Sequence, residues 1–157
     1  MARFYSEATR VLNASDGFII DLVGDEVVAL WPPGFSGPDH AKKAVGAARE
    51  LIELVVAGPD GTRLHLGVGV NTGLAYIGTV TGTEAGIEDV RAMGDSVNVT
   101  ARLAAAARAG EALITESACV AAGIEQRYLE HRQLDVKGHD APIGVRVLSL
   151  YSDASSA

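Results

Sequence analysis

The sequence predicts an α+β domain in which helices cover one or both faces of a mainly antiparallel sheet. Three observations carry that expectation. Apolar stripes at helical spacing are interleaved with short runs rich in β-branched residues. Gly-Asp and Asn-Thr-Gly turn signals join neighbouring runs into hairpins. The chain has 157 residues, 48% of them hydrophobic. A chain of that length buries roughly two-thirds of its unfolded surface and needs no disulfide or metal to fold.

The elements follow in order. Phe4, Ala8, Val11 and Leu12 share one helical face, and residues 13–17 (NASDG) end that helix. The runs 18–23 (FIIDLV) and 27–31 (VVALW), separated by Gly24-Asp25-Glu26, predict a β-hairpin. Residues 32–38 (PPGFSGP) predict a loop. Pro38 and Asp39 then open a helix whose apolar stripe is Ala41, Ala44, Val45, Ala48, Ile52 and Val55, with Gly58-Pro59 as its stop. Residues 64–70 alternate, and Asn71-Thr72-Gly73 is expected to turn them into 74–80 as a second hairpin. Residues 81–89 (TGTEAGIED) are polar and glycine-containing, the pattern of an exposed loop. A helix is expected from about Ser96 to Ala109, capped by Asp95 or Ser96 and stopped at Gly110. A short strand at 112–115, a brief helix at 116–122, and strands near 127–136 and 143–151 around Lys137-Gly138-His139-Asp140 complete the chain.

Composition removes several classes of function. Twenty acidic against thirteen basic residues give a net charge of -7, which argues against nucleic acid as a partner. The single cysteine, Cys119, can form no intrachain disulfide and fits a reducing compartment. Charges run through the first seventeen residues, unlike a signal peptide, and no apolar run reaches the length of a membrane span. A cytoplasmic protein without a membrane segment is expected. His40, His131 and His139 show no ligand spacing with Cys119, so zinc is not expected.

Four residues could carry chemistry. Asp25, on a tight turn, could bind Mg²⁺, which takes one or two carboxylates plus phosphate oxygens and water; Gly-Asp is equally ordinary turn chemistry. Asn98 and Arg102, four apart on one helix face, could orient a ribose and neutralise charge developing on a phosphoryl group, or could form a solvated stripe. Lys137 could meet a terminal phosphate, although Lys-Gly is common in surface turns.

Together the strings IIDLVGDEVVALWPPG, HLGVGVNTGLAYIGTV, RAMGDSVNVTARLAAAARAGEALITESA and LDVKG resemble the catalytic domain of class III adenylyl/guanylyl cyclases, in order and spacing, from about Phe4 to Tyr151. The resemblance implies a ferredoxin-like βαββαβ sandwich with added C-terminal elements, here residues 1–151, followed by a flexible tail at 152–157. It implies a homodimer, or a heterodimer with another cyclase domain, whose sites lie between protomers. In those sites two Mg²⁺ or Mn²⁺ ions and a nucleoside triphosphate, ATP or GTP, yield a 3′,5′-cyclic nucleotide and pyrophosphate. By position, Asp25 matches the second metal-binding aspartate, Asn98 the ribose-orienting asparagine, Arg102 the transition-state arginine and Lys137 the lysine on the triphosphate tail.

Three departures stand against this pattern. The family's first strand and helix, with the first metal-binding aspartate, precede the segment at Phe4 and are absent from these residues. Asp21 stands where the family has a purine-reading lysine, and Arg91 where it has aspartate or threonine. The exchanged charges could retain a salt bridge while base recognition is altered, or both could be drift after loss of activity. Three functions follow: a nucleotide cyclase, inactive or weak as this chain alone; a catalytically inactive homologue acting as a dimerisation or nucleotide-binding module; or a cyclic-dinucleotide synthase on the same core. Against the last, only GDE stands where that group shows Gly-Gly-Asp-Glu-Phe.

Overall fold

In the computed structural model, which describes residues 2–57, 60–81 and 88–151, helix α1 (Ala2–Ala14) leads into a hairpin of β1 (Phe18–Val23) and β2 (Glu26–Leu30). Val11 and Leu12 of α1 pack with Ile19, Val27, Ala29 and Trp31, so the predicted apolar face of the helix lies on the hairpin. The segment expected to be a loop contains one helical turn, α2 (Pro33–Ser36), with Pro33 at its first position, where a missing N–H costs nothing. Helix α3 (His40–Glu53) ends before the expected stop. Val55 belongs instead to β3 (Val55–Ala57), which pairs antiparallel with β4 (Arg63–His65). Gly58 and Pro59 lie outside the described residues.

The second hairpin does not form as expected. The alternating run 64–70 is divided between β4 and β5 (Val68–Val70), and β5 pairs in parallel with β8 (Glu111–Thr115). Residues 76–81 form β6 (Tyr76–Thr81), whose partner is β7 (Glu88–Met93), in a region read as loop from its polarity. Residues 82–87 lie outside the described set.

Helix α4 (Asp95–Ala106) follows, then β8, α5 (Glu116–Ala122), a 3₁₀ turn at Gln126–Tyr128, β9 (Glu130–Leu134) and β10 (Ile143–Ser149). The main sheet has the order β5-β8-β10-β9 and is antiparallel except for β5 on β8. All five residues of β8 are buried, and its side chains alternate between two cores. Ala112 and Ile114 meet Val45, Ala48 and Ile52 of α3 and Ala118 and Cys119 of α5, while Leu113 meets Val99 and Leu103 of α4. Helices therefore cover both faces. Burial raises the pKa of the Cys119 thiol. Glu111 and Arg132 form a two-pronged ion pair at 2.8 and 2.9 Å, which holds the Glu111 carboxyl below the usual range.

The resemblance places a first strand in the middle of the sheet. Among the described residues the β1–β2 hairpin pairs with no third strand, and β5 pairs with β8 alone. The two sheets share α3, which gives Ala47 to the hairpin side and Val45, Ala48 and Ile52 to the main sheet. The tail at 152–157 lies outside the described residues.

Gly69 sets how closely α4 approaches the sheet. A Cβ there would stand 2.6 Å from the Thr100 carbonyl oxygen and 2.6 Å from the Ala104 nitrogen, both backbone atoms that cannot rotate away. Gly69→Ala should therefore cost about 3 kcal/mol or more by overpacking. Gly46→Ala, in open space within α3, should instead stabilise by about 0.5–1 kcal/mol. Melting curves of the two variants check this: opposite shifts are expected, and equal ones would contradict the packing.

Candidate functional site

Asp25 occupies the tip of the β1–β2 hairpin and is exposed. Val23 pairs with Glu26, which leaves Gly24 and Asp25 as a two-residue loop, and Gly24 takes φ +60°, as the first position of such a loop favours. The Tyr5 hydroxyl of α1 donates to the Gly24 carbonyl and ties the loop to the helix. No group of three His, Cys, Asp or Glu side chains able to hold a metal occurs among the described residues. A lone exposed carboxylate fits a cation that draws most of its oxygens from a bound polyphosphate and water, not a resident ion.

Asp21 and Arg91 come together. A bulge between Ile19 and Asp21 breaks the alternation of β1, so that Ile20 and Asp21 both line a cavity of about 90 Å³. Arg91, Ala92, Val28 and Val97 form the rest of it. Such a space holds a few waters, not a nucleotide.

Asn98 and Arg102 project from the exposed face of α4, while Val99 and Leu103 bury the opposite one. The amphipathic reading of this helix holds, but it ends at Ala106, short of the expected Ala109, and its start also differs. Gly94 is the N-cap, and Asp95 is the first helical residue rather than a cap. The Asp95 carboxylate instead meets His139 Nε2 at 3.0 Å. Asn71 Nδ2 donates to the Ser96 carbonyl at 3.1 Å, and Thr115 Oγ1 donates to Asn71 Oδ1 at 3.0 Å, fixing the same end of α4 to the ends of β5 and β8. These residues line a polar cleft of about 390 Å³ with Glu116 and Ser117. Lys137 lies exposed in the β9–β10 connection, between the buried Val136 and His139.

Asp25, Asn98, Arg102 and Lys137 share one property: among the described residues, none of their side chains enters a hydrogen bond or ion pair. Asn98 and Arg102 sit together on one helix, and the Lys137 turn is bonded to the start of that helix. Asp25 is on a separate hairpin. The sequence reading missed Asp95 and His139 as a pair, because residues 44 apart carry no local signal of contact.

The likeness to known proteins decides the fold. A guanylyl cyclase structure, Cya2, superposes with a TM-score of 0.76 at 22% identity, over 92% of this chain and 75% of that one. The fold is that of the class III nucleotide cyclase catalytic domain. In sequence, the chain is 34% identical over 94 residues to the terminal-differentiation-specific adenylate cyclase of Dictyostelium discoideum, covering 58% of the chain. It is 31% identical over 109 residues to adenylate cyclase 1 of Rhizobium meliloti (strain 1021), covering 66% of the chain. The matched segments span 4% and 16% of those relatives, so the chain corresponds to a small part of each. No protein-family model matches the chain. Among its described residues, no helix is long and apolar enough to cross a membrane.

Proposed function

We propose that this chain supplies one face of a two-protomer nucleotide cyclase site, converting ATP or GTP to a 3′,5′-cyclic nucleotide and pyrophosphate. The observation that carries this reading is the set of four polar side chains, Asp25, Asn98, Arg102 and Lys137, exposed and without partners among the described residues, at the positions where the resemblance expects functional groups.

In this reading Asn98 orients the ribose so that its 3′-oxygen faces the α-phosphorus. Arg102 donates to the phosphoryl oxygens, where negative charge builds as the 3′-oxygen attacks and pyrophosphate leaves. Lys137 binds the terminal phosphates as a point charge. Asp25 holds a divalent cation, Mg²⁺ or Mn²⁺, that arrives with the triphosphate. That cation supplies charge neutralisation at the reacting phosphate.

The partner in this proposal is a second cyclase domain, as a homodimer or heterodimer. Exposed apolar side chains on β1 (Phe18, Leu22 and Val23) and on the β6–β7 hairpin (Tyr76, Ile77 and Met93) support it, since a monomeric surface seldom carries so many together. The working place proposed is the cytoplasm. A second reading, an inactive homologue that dimerises or binds nucleotide, is favoured by the single metal-binding carboxylate and by Asp21 and Arg91 at the base-reading positions.

The test is product formation from ATP and from GTP with Mg²⁺ and with Mn²⁺, measured on the chain alone and mixed with a cyclase domain bearing the first metal-binding aspartate. Light scattering on the same samples should give a dimer mass. A monomer at high concentration, alone and with the partner domain, would contradict the proposed assembly.

A further inference from the structure

Among the described residues, the turn that carries Lys137 is joined to α4 by one apolar and one polar side-chain contact. Lys137 stands in the turn between β9 and β10, and Asn98 and Arg102 stand on α4, 39 and 35 residues earlier by number. Two anchors hold the turn against the helix. Before Lys137, Val136 is 7% exposed and packs in the core formed with Val99 and Leu103 of α4. After it, His139 bonds Asp95 in the first turn of α4 at 3.0 Å. The His139 amide also donates to the Val136 carbonyl at 3.0 Å, which closes the turn over Lys137 and Gly138.

We infer that His139 is a positioning residue for the triphosphate end of the site: its bond to Asp95 fixes the Lys137 turn relative to Asn98 and Arg102. The inference rests on the cyclase reading above. Its physical basis is the geometry of a long lysine. Four rotatable bonds let the ammonium wander, so its average position over a phosphate depends on where its backbone is held. Val136 alone fixes one end of the turn and leaves it free to swing; His139 fixes the other. The Asp95 side chain is 73% exposed, and an ion pair in that setting contributes little to stability. The bond should therefore show itself in ligand geometry and hardly at all in the melting temperature. It touches no substrate atom, and acts through Lys137.

The experiment measures Kd for a 3′-deoxynucleoside triphosphate, which cannot cyclise, and for the matching monophosphate, with Mg²⁺ present and the full 157-residue chain. His139→Ala should weaken triphosphate binding roughly three- to tenfold, the range of a lost partly exposed charged contact, and leave monophosphate binding unchanged. His139→Gln, which places an N–H donor near the position of Nε2, should restore it, and Asp95→Ala should reproduce the loss. In a Lys137→Ala background, His139→Ala should have no further effect, because the pair acts as one unit. Equal triphosphate affinity in wild type and His139→Ala would overturn the inference while leaving the cyclase reading intact. An equal loss for both ligands, or an undiminished loss in the Lys137→Ala background, would also overturn it. Absence of triphosphate binding by the wild type would overturn the cyclase reading and this inference with it.

Discussion

Arg102→Ala should lower kcat by roughly two to three orders of magnitude while changing nucleotide binding little, the signature of a donor that acts on charge developing in the transition state. The side chain lies on the exposed face of α4 without an internal partner among the described residues, so its removal leaves none of their buried groups unpaired. Its effect on stability should stay within about 0.5 kcal/mol. Asn98→Ala should follow the same pattern by misplacing the ribose. The measurement is steady-state product formation beside thermal melts, in the mixed pair with a cyclase domain that supplies the first metal-binding aspartate. A loss confined to KM would make Arg102 a binding group only. No loss of any kind would return α4 to a solvated stripe.

The chain alone should turn over at least about three orders of magnitude more slowly than that mixed pair. Asp25 is the one carboxylate at its hairpin tip, and no cluster of three potential ligands exists among the described residues. Two divalent cations sharing a triphosphate would lack an anionic ligand, a deficit of several kcal/mol in a site where charge neutralisation dominates the barrier. The comparison is made at equal concentrations of this chain, with ATP and GTP each tested. Turnover near one per second by the chain alone, abolished by Asp25→Ala, would contradict this expectation and show a complete site without help.

Much of the fold could be read directly because its signals are local. The face of α1, the β1–β2 hairpin and most of the α3 stripe each depend on residues within a few turns of one another, and they form as expected except that Glu26 joins β2 and Val55 joins β3. Failures came where pairing is distant. The alternation from Leu64 to Val70 resembles one strand, yet β4 pairs backward with β3 while β5 pairs in parallel with β8, more than forty residues on. Gly67 and Gly69 looked like one polar face of a strand. Gly69 is small because the backbone of α4 comes within 2.6 Å of where its Cβ would be. The polarity of 81–89 concealed the start of β7, which among the described residues pairs with β6 alone.

The site divides in the same way. Asn98 and Arg102 were readable from helical spacing, and their exposure follows from the burial of Val99 and Leu103 on the opposite face. That Asp21 and Arg91 line one cavity follows a bulge in β1 that composition does not announce. His139 showed no ligand spacing, and Asp95 was read as a cap. Only the folded chain brings them to 3.0 Å.

The central claim is that this chain contributes Asn98, Arg102 and Lys137 to a site completed by a second protomer. The most direct measurement mixes it with a cyclase domain that retains both metal-binding aspartates but has its own ribose-orienting asparagine and transition-state arginine replaced by alanine. Neither partner then holds a complete set, and the composite site uses α4 of this chain. Cyclic nucleotide is expected from the mixture, none above background from either partner alone, and no product when this chain carries Arg102→Ala. A stable mixed dimer that makes no cyclic nucleotide from ATP or GTP would contradict it.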